Sequence, residues 1–162
     1  LVPAFRAEER QFALLTQLAG RASREGHGAR VLFQTWDPGT RAIAHARRHD
    51  VAGFLRDELE RRRALGYPPF GRLVRVLVSA PQDPLELLAA IAAEVRPALD
   101  GDAVLGPAPL VRLRNRERVH LLVKTERPRR AAAELGDALA RHARVLRRAG
   151  ASAVVDVDPQ SL

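Results

Sequence analysis

Four arginines recur at every second position of LVRLRNRER: Arg112, Arg114, Arg116 and Arg118. Alternate residues of a strand point to one face. The spacing therefore lines up guanidinium groups that can pair with phosphates spaced along nucleic acid, although a turn before Arg118 breaks the parity. On this pattern Val111 and Leu113 face the core while Arg112 and Arg114 face out. No aromatic residue lies between the arginines, so stacking of bases on rings is not indicated. A second cluster, Arg127, Arg129 and Arg130, stands before the helical run AAAELGDALARHARVL. Positive charges at a helix N-terminus oppose its dipole, and a bound anion would relieve that cost. In QLAGRASR, Arg21 and Arg24 sit three apart, preceded by Gln17 and Gly20. Arginines so placed can reach a phosphate on a neighbouring surface, yet the chain has no G-x-x-x-x-G-K-[ST] loop to cradle a nucleotide. Asp156 and Asp158 share one face of a strand. No third ligand is near them, and the histidines at 27, 45, 49, 120 and 142 lack ligand spacing. An ordinary edge-strand pair, bridged to nearby arginines, is favoured over a metal or acid–base site. The chain has no cysteine and no Ser-His-Asp signature, which removes nucleophilic catalysis of those kinds.

These side chains belong to a chain of 162 residues with a formal net charge of +8. Of its 27 basic and 19 acidic residues, 12 and 4 fall between positions 110 and 148, leaving 15 of each elsewhere. The whole excess is thus in one contiguous quarter, as expected of a surface that meets a polyanion, nucleic acid above all. Lys124 is the only lysine, so an arginine-favouring composition accounts for part of this. Hydrophobic residues are 46% and aromatics only 4%, so the core must be built from Leu, Val and Ala. No stretch approaches the ~20 apolar residues of a membrane span, and LVPAFRAEERQ lacks the pattern of a signal peptide. No membrane partner and a cytoplasmic location are expected. The chain starts at Leu1 and has no methionine, which reads as a piece of a longer protein.

The elements that must position these groups follow from periodicity and punctuation. Phe12, Leu15, Leu18, Ala19 and Ala22 predict an amphipathic helix over 7–22. RVLFQT (30–35) predicts a strand, and two helices follow over 40–48 and 51–64, with Asp50 capping the second. Asp57 with Arg61 and Glu58 with Arg62 are i,i+4 pairs, each adding a few tenths of a kcal/mol. Gly66 suits the end of that helix. YPPFG forces an extended path and marks a boundary between residues 1–66 and 67–162. Beyond it lie a strand (72–79), a helix (84–99), a short strand AVLG (103–106), two strands (110–115 and 118–125) around a tight turn near Asn115 to Glu117, a helix (129–150) and a closing strand (152–158). Allowing AVLG to join the hairpin as an extra piece, the order is β-α-β-β-α-β, which predicts an α+β domain of the ferredoxin-like, split-βαβ kind, an antiparallel sheet with both helices on one face.

The segments TQLAGRASREG, GARVLFQTWDP, ELERRRALGYPPFGRLVRVLVS, VLGPAPL, RVHLLVK and VDVDPQSL occur in this order. Together they resemble the C-terminal portion of the PriA (primosomal protein N′) family of bacterial replication-restart helicases, over essentially the whole chain. The resemblance implies that residues 1–66 are the αβα end of a second helicase lobe and that 67–162 form a C-terminal domain with an S10-like fold. It implies that Gln17, Gly20, Arg21 and Arg24 match helicase motif VI, whose arginines reach the γ-phosphate of ATP bound by the other lobe. Ser23 stands where the family has a second glycine. It further implies ATP with magnesium, and zinc, as cofactors of the longer parent, a 3′-5′ DNA helicase, and no cofactor for this piece, which by itself is expected to hydrolyse nothing. Implied partners are forked or single-stranded DNA, other primosome proteins, and the acidic C-terminal tail of single-stranded DNA-binding protein. For that tail Arg130 is the nearest match, and Glu134 replaces a glutamine. The resulting expectation is a DNA-binding and partner-docking module for replication restart and repair. The alternatives are an RNA-binding or ribosome-associated domain and a small metal-dependent hydrolase using Asp156 and Asp158.

Overall fold

The computed structural model describes residues 5–22 and 30–159, which group into two compact units divided between residues 65 and 66.

The first unit contains α1 (Ala7–Ala22), α2 (Arg41–Ala46) and α3 (Val51–Leu65). Its core is small: Phe12 and Leu15 of α1, Ala42, Ile43 and Ala46 of α2, and Phe54 of α3. The Phe12 and Phe54 rings stack 4.1 Å apart, 8° from parallel. The expected cap is present: Asp50 Oδ1 accepts the Gly53 N–H at 2.8 Å. Residues 30–35, expected to be a strand, carry none. A strand exists through its ladder, and among the described residues this unit has no second strand to pair with it. Leu32 is accordingly 92% exposed.

Of the two expected pairs along α3, Glu58 with Arg62 is present and Asp57 with Arg61 is replaced. Glu58 is buried and accepts from Arg62 Nε at 2.8 Å and from Arg61 Nη2 at 2.8 Å. Arg62 also reaches Glu9 of α1 at 2.7 Å, and Arg41 of α2 pairs with Glu8. A network rooted on one buried carboxylate therefore ties the three helices. Burial pushes the Glu58 carboxyl up, but the hydrogen bonds from Arg61 and Arg62 outweigh it and hold it below the usual range.

Asp57 turns instead to His45. His45 Nε2 bonds Asp57 at 3.0 Å and Nδ1 bonds Asp50 at 3.1 Å. Two carboxylates accept only if both ring nitrogens carry a proton, so the arrangement selects the imidazolium. The Asp57 hydrogen bond, opposed by burial and aided by Asp50, raises the His45 pKa above its ordinary 6.5. A raised folded-state pKa contributes stability that is fully present below the unfolded value and is lost as pH rises through the folded one. Amide exchange in α2 and α3 should therefore quicken as pH is raised above about 6.5, once corrected for intrinsic rates. His45→Gln, which cannot titrate, should remove that dependence; a dependence surviving the substitution would assign it to another group.

The second unit contains β1 (Arg72–Ala80), α4 (Leu85–Val95), β2 (Ala103–Leu113), β3 (Arg116–Thr125), α5 (Pro128–Arg141), α6 (Ala143–Arg148) and β4 (Ser152–Val157). The sheet order is β2-β3-β1-β4 with every neighbouring pair antiparallel, the split-βαβ arrangement expected from the element order. Alternation decides its faces. Val74, Val76 and Val78 of β1 and Val119, Leu121 and Val123 of β3 pack against Leu88, Ile91 and Val95 of α4 and Ala131, Leu135 and Ala138 of α5. Both helices thus cover one face.

Two expected boundaries differ. AVLG and LVRL belong to one strand, β2, which runs through Pro107 and Pro109. Proline lacks a ladder donor, but β2 is an edge strand and tolerates the loss. The ladder shifts register between Leu105 and Ala108. Gly106 absorbs the shift at φ +97°, where an added Cβ would lie 3.0 Å from the His120 carbonyl oxygen. The helix expected over 129–150 breaks at His142 (φ −89°, ψ 3°), whose Nδ1 meets the Ala138 carbonyl at 3.0 Å. The break turns Leu146 of α6 into the core.

Candidate nucleic-acid interface

The arginine run lies on the β2–β3 hairpin. Its turn residues, Arg114 (φ 50°) and Asn115 (φ 62°), are both left-handed, the type I′ geometry that matches the twist of a two-residue hairpin. Leu113 pairs with Arg116, and Leu110 with Arg118. Val111 and Arg112 therefore stand together opposite Glu117 alone, a bulge that kinks the tip.

This bulge overturns the expectation that Val111 and Leu113 face the core: Val111 is 85% exposed and Leu113 54%. The β1–β3 ladder ends at Ala80 opposite Glu117, and the buried cluster reaches along β3 only to Val119. The tip projects past both.

The four arginines have different environments. Arg116 turns inward: its Nη2 donates to the carbonyls of Ser79 and Gly150, each at 2.7 Å, and its Nε donates to Ser79 Oγ at 3.1 Å. It joins β1 to the turn before β4 and is committed to the fold. Arg112 stays largely exposed, 3.3 Å from Glu117. Arg114 is exposed at the turn, with no hydrogen bond or ion pair among the described residues. Arg118 is half-buried on the face away from the helices, next to His120. Burial lowers the His120 pKa, aided by the charges of Arg75 and Arg118. An ion-pair partner for Arg118 is likewise absent among the described residues. The tip thus presents Arg112 and Arg114, with Arg118 behind them.

Arg114 occupies a position where Asn, Asp or Gly is preferred. An ordinary side chain in the left-handed region costs about 1 kcal/mol. Such strain tends to sit where a side chain is needed for something other than folding.

At the start of α5, Arg127 donates its backbone N–H to Thr125 Oγ1 at 2.9 Å, and the first turn contains no acidic residue. Arg130 Nη2 donates to the Ala98 carbonyl at 2.8 Å, which orients the side chain over the loop after α4. Glu134 is half-buried and forms no ion pair with Arg130 among the described residues. Beside this helix start is a cavity of about 350 Å³ lined by Gly66, Phe70, Asp102, Lys124, Thr125 and Arg127, among others. Lys124 Nζ lies 4.0 Å above the Tyr67 ring, and burial pushes its pKa down. Sequence reasoning missed this cavity. Its only signal was the glycine at 71, where a Cβ would come within 2.4 Å of the Gly66 carbonyl oxygen.

Gln17, Gly20 and Arg21 are exposed on α1, with Gln17 and Arg21 one turn apart; Arg24 lies outside the described residues. Asp156 pairs with Arg75 at 3.1 Å. Asp158 pairs with Arg72 at 2.5 Å and accepts the Leu73 N–H. The Arg72 hydrogen bond holds the Asp158 carboxyl below its ordinary range, with the Leu73 N–H adding to it against burial. These aspartates clamp β4 and its end to β1, as the arginine-bridged reading held. Among the described residues no group of three or more His, Cys, Asp or Glu gathers to hold a metal, and no helix is long and apolar enough to cross a membrane.

The second unit is a ferredoxin-like α+β domain with an arginine-bearing hairpin and a basic helix start. Comparison with known proteins makes the class specific: residues 63–160 match the family model described as primosomal protein N C-terminal domain, and the chain belongs to that family. It is 40% identical over 162 residues to replication restart protein PriA of Thermotoga maritima, covering 99% of the chain and 21% of that relative. Identity to the PriA protein of Synechocystis is 37% over 125 residues, 74% of the chain and 15% of the relative. For that of Bacillus subtilis it is 30% over 165 residues, 98% of the chain and 20% of the relative. The chain thus spans about a fifth or less of the length of these curated relatives. Their shared replication-restart name matches the expected role, and nothing in them supports the RNA-binding alternative.

Proposed function

We propose that this chain is the DNA-binding and partner-docking part of a primosomal replication-restart protein, acting at forked or branched DNA. The observation that carries the reading is the hairpin end: Arg112 is exposed near the end of β2 and Arg114 is exposed at the turn past the β1–β3 ladder, in a chain of the PriA family. Phosphate contacts from such a tip position the protein without reading sequence. In the longer protein, Gln17 and Arg21 would face ATP held by another lobe. Their exposure on one side of α1 fits that role, since neither is committed to a partner among the described residues. Magnesium and zinc would be held by residues outside this chain.

The acidic tail of single-stranded DNA-binding protein is proposed to dock beside Arg130. Arg127, Arg129 and Arg130 are exposed around the first turn of α5, which itself carries no acidic residue, and the N–H groups of that turn favour an anion. Fluorescence anisotropy with a labelled tail peptide tests this in the full-length protein. Arg130→Ala should weaken binding, and Glu134→Gln, which removes like-charge repulsion, should strengthen it. No change in either variant would sink the tail-docking claim. For DNA, the 162-residue chain should bind a fork with an affinity that falls steeply as salt is raised, and salt-independent or undetectable binding would reject the reading.

A further inference from the structure

The hairpin tip holds more than charge. Val111 and Leu113 are 85% and 54% exposed, flanked by Arg112 and Arg114. Aliphatic side chains this exposed at the end of an edge strand, beside the turn, bury little area for the fold. Both lie at or beside the bulge opposite Glu117, beyond Val119, where the buried cluster along β3 ends. Arg114 holds a left-handed turn position that an asparagine or glycine fills with less strain. Apolar surface and cations thus share one projecting edge. The complementary surface must offer apolar faces and phosphates together.

Resting on the DNA-binding reading above, we propose that this tip is a wedge for the junction where a DNA duplex ends. Val111 and Leu113 pack against the face of the terminal base pair while Arg112 and Arg114 hold the phosphates on either side. Base faces are apolar and lie open only where stacking stops, at a fork or an end. Within a duplex they are covered, and there the tip would meet only phosphates and groove edges. Aliphatic wedges that unstack a base step are an established way for proteins to engage DNA. The absence of aromatics around the arginines is consistent with insertion by aliphatic groups. The tip is therefore assigned junction preference, and the arginines alone general affinity.

The test uses the whole 162-residue chain and a fork carrying 2-aminopurine at the last paired position, whose fluorescence rises on unstacking. The wild-type chain should raise that fluorescence at saturation and should prefer the fork to a single strand of equal length by about tenfold. Val111→Ser with Leu113→Ser should abolish both while leaving the salt dependence of binding intact. Both residues are exposed, so the double variant should fold, which circular dichroism checks. Salt-dependent binding with no fluorescence change, or a junction preference that survives the double variant, would overturn the wedge and leave the DNA reading standing. Equal affinity for intact duplex, without unstacking, would assign the hairpin to a groove and also overturn it. No DNA binding at all would overturn both.

Discussion

Glu58→Ala should unfold the three-helix unit while sparing the sheet. Removing one partner of a buried ion pair costs about 3–5 kcal/mol, because the other charge is left desolvated. Here Arg62, only 8% exposed, loses its Nε bond to Glu58 and keeps Glu9, and Arg61 loses both of its bonds to the same carboxylate. The opposing reserve is small: among the described residues the buried cluster joining these helices is six residues, two of them alanine. A loss of about 3 kcal/mol is a large part of the stability of any domain this size. Hydrogen exchange read by peptide should show α1 to α3 losing protection and β1 to β4 keeping theirs. Glu58→Gln retains an acceptor and should cost less. The lowered Glu58 pKa gives the acid limb its sign: the contribution is present above the unfolded pKa and is lost as pH falls through the folded one. If Glu58→Ala changes α3 protection by less than about tenfold, equivalent to 1.4 kcal/mol, the network is a solvated decoration and not the tie between the helices.

Replacing Arg112, Arg114 and Arg118 with alanine should flatten the log–log salt dependence of DNA binding by roughly two to three units. Each lost phosphate contact contributes about 0.7 to 0.9. Between 50 and 200 mM salt such a change alters affinity on the order of 20- to 40-fold, well above assay error. Arg116 is deliberately left out. It spaces evenly with the others in sequence, but its guanidinium is held by Ser79 and Gly150, so its alanine variant would mix instability with lost affinity. Arg114→Gly separates the two effects most cleanly. Glycine relieves the left-handed strain and should stabilise the sheet unit by up to about 1 kcal/mol, while binding weakens by one contact. Stability and affinity moving in opposite directions would show that the arginine is kept for a ligand. A slope unchanged in the triple variant would mean that the hairpin is only a charged edge guarding against aggregation.

Much of this protein was legible in its residues because the relevant physics is local. The two-residue alternation of RLVRVLV and RVHLLVK, the spacing of Leu88, Ile91 and Val95, and Pro-Pro after Gly66 set the elements and their order. β-α-β-β-α-β then leaves few topologies, and the observed β2-β3-β1-β4 sheet is the one it favours. Asp50 as a cap was equally local, since its partner is Gly53. What sequence alone did not determine was which of several chemically equal residues meets which partner. Asp57 and Glu58 both sit four residues before an arginine. Glu58 keeps its expected Arg62, and only the packing of α2 against α3 sends Asp57 to His45. Four evenly spaced arginines read as one set until a bulge opposite Glu117 separates them, leaving Arg116 on carbonyls and moving Leu113 to the face of Arg116. A register shift of one residue exchanges the faces of every residue beyond it. That exchange depends on where the neighbouring strand stops, which is a property of the assembled sheet and not of the hairpin's own sequence.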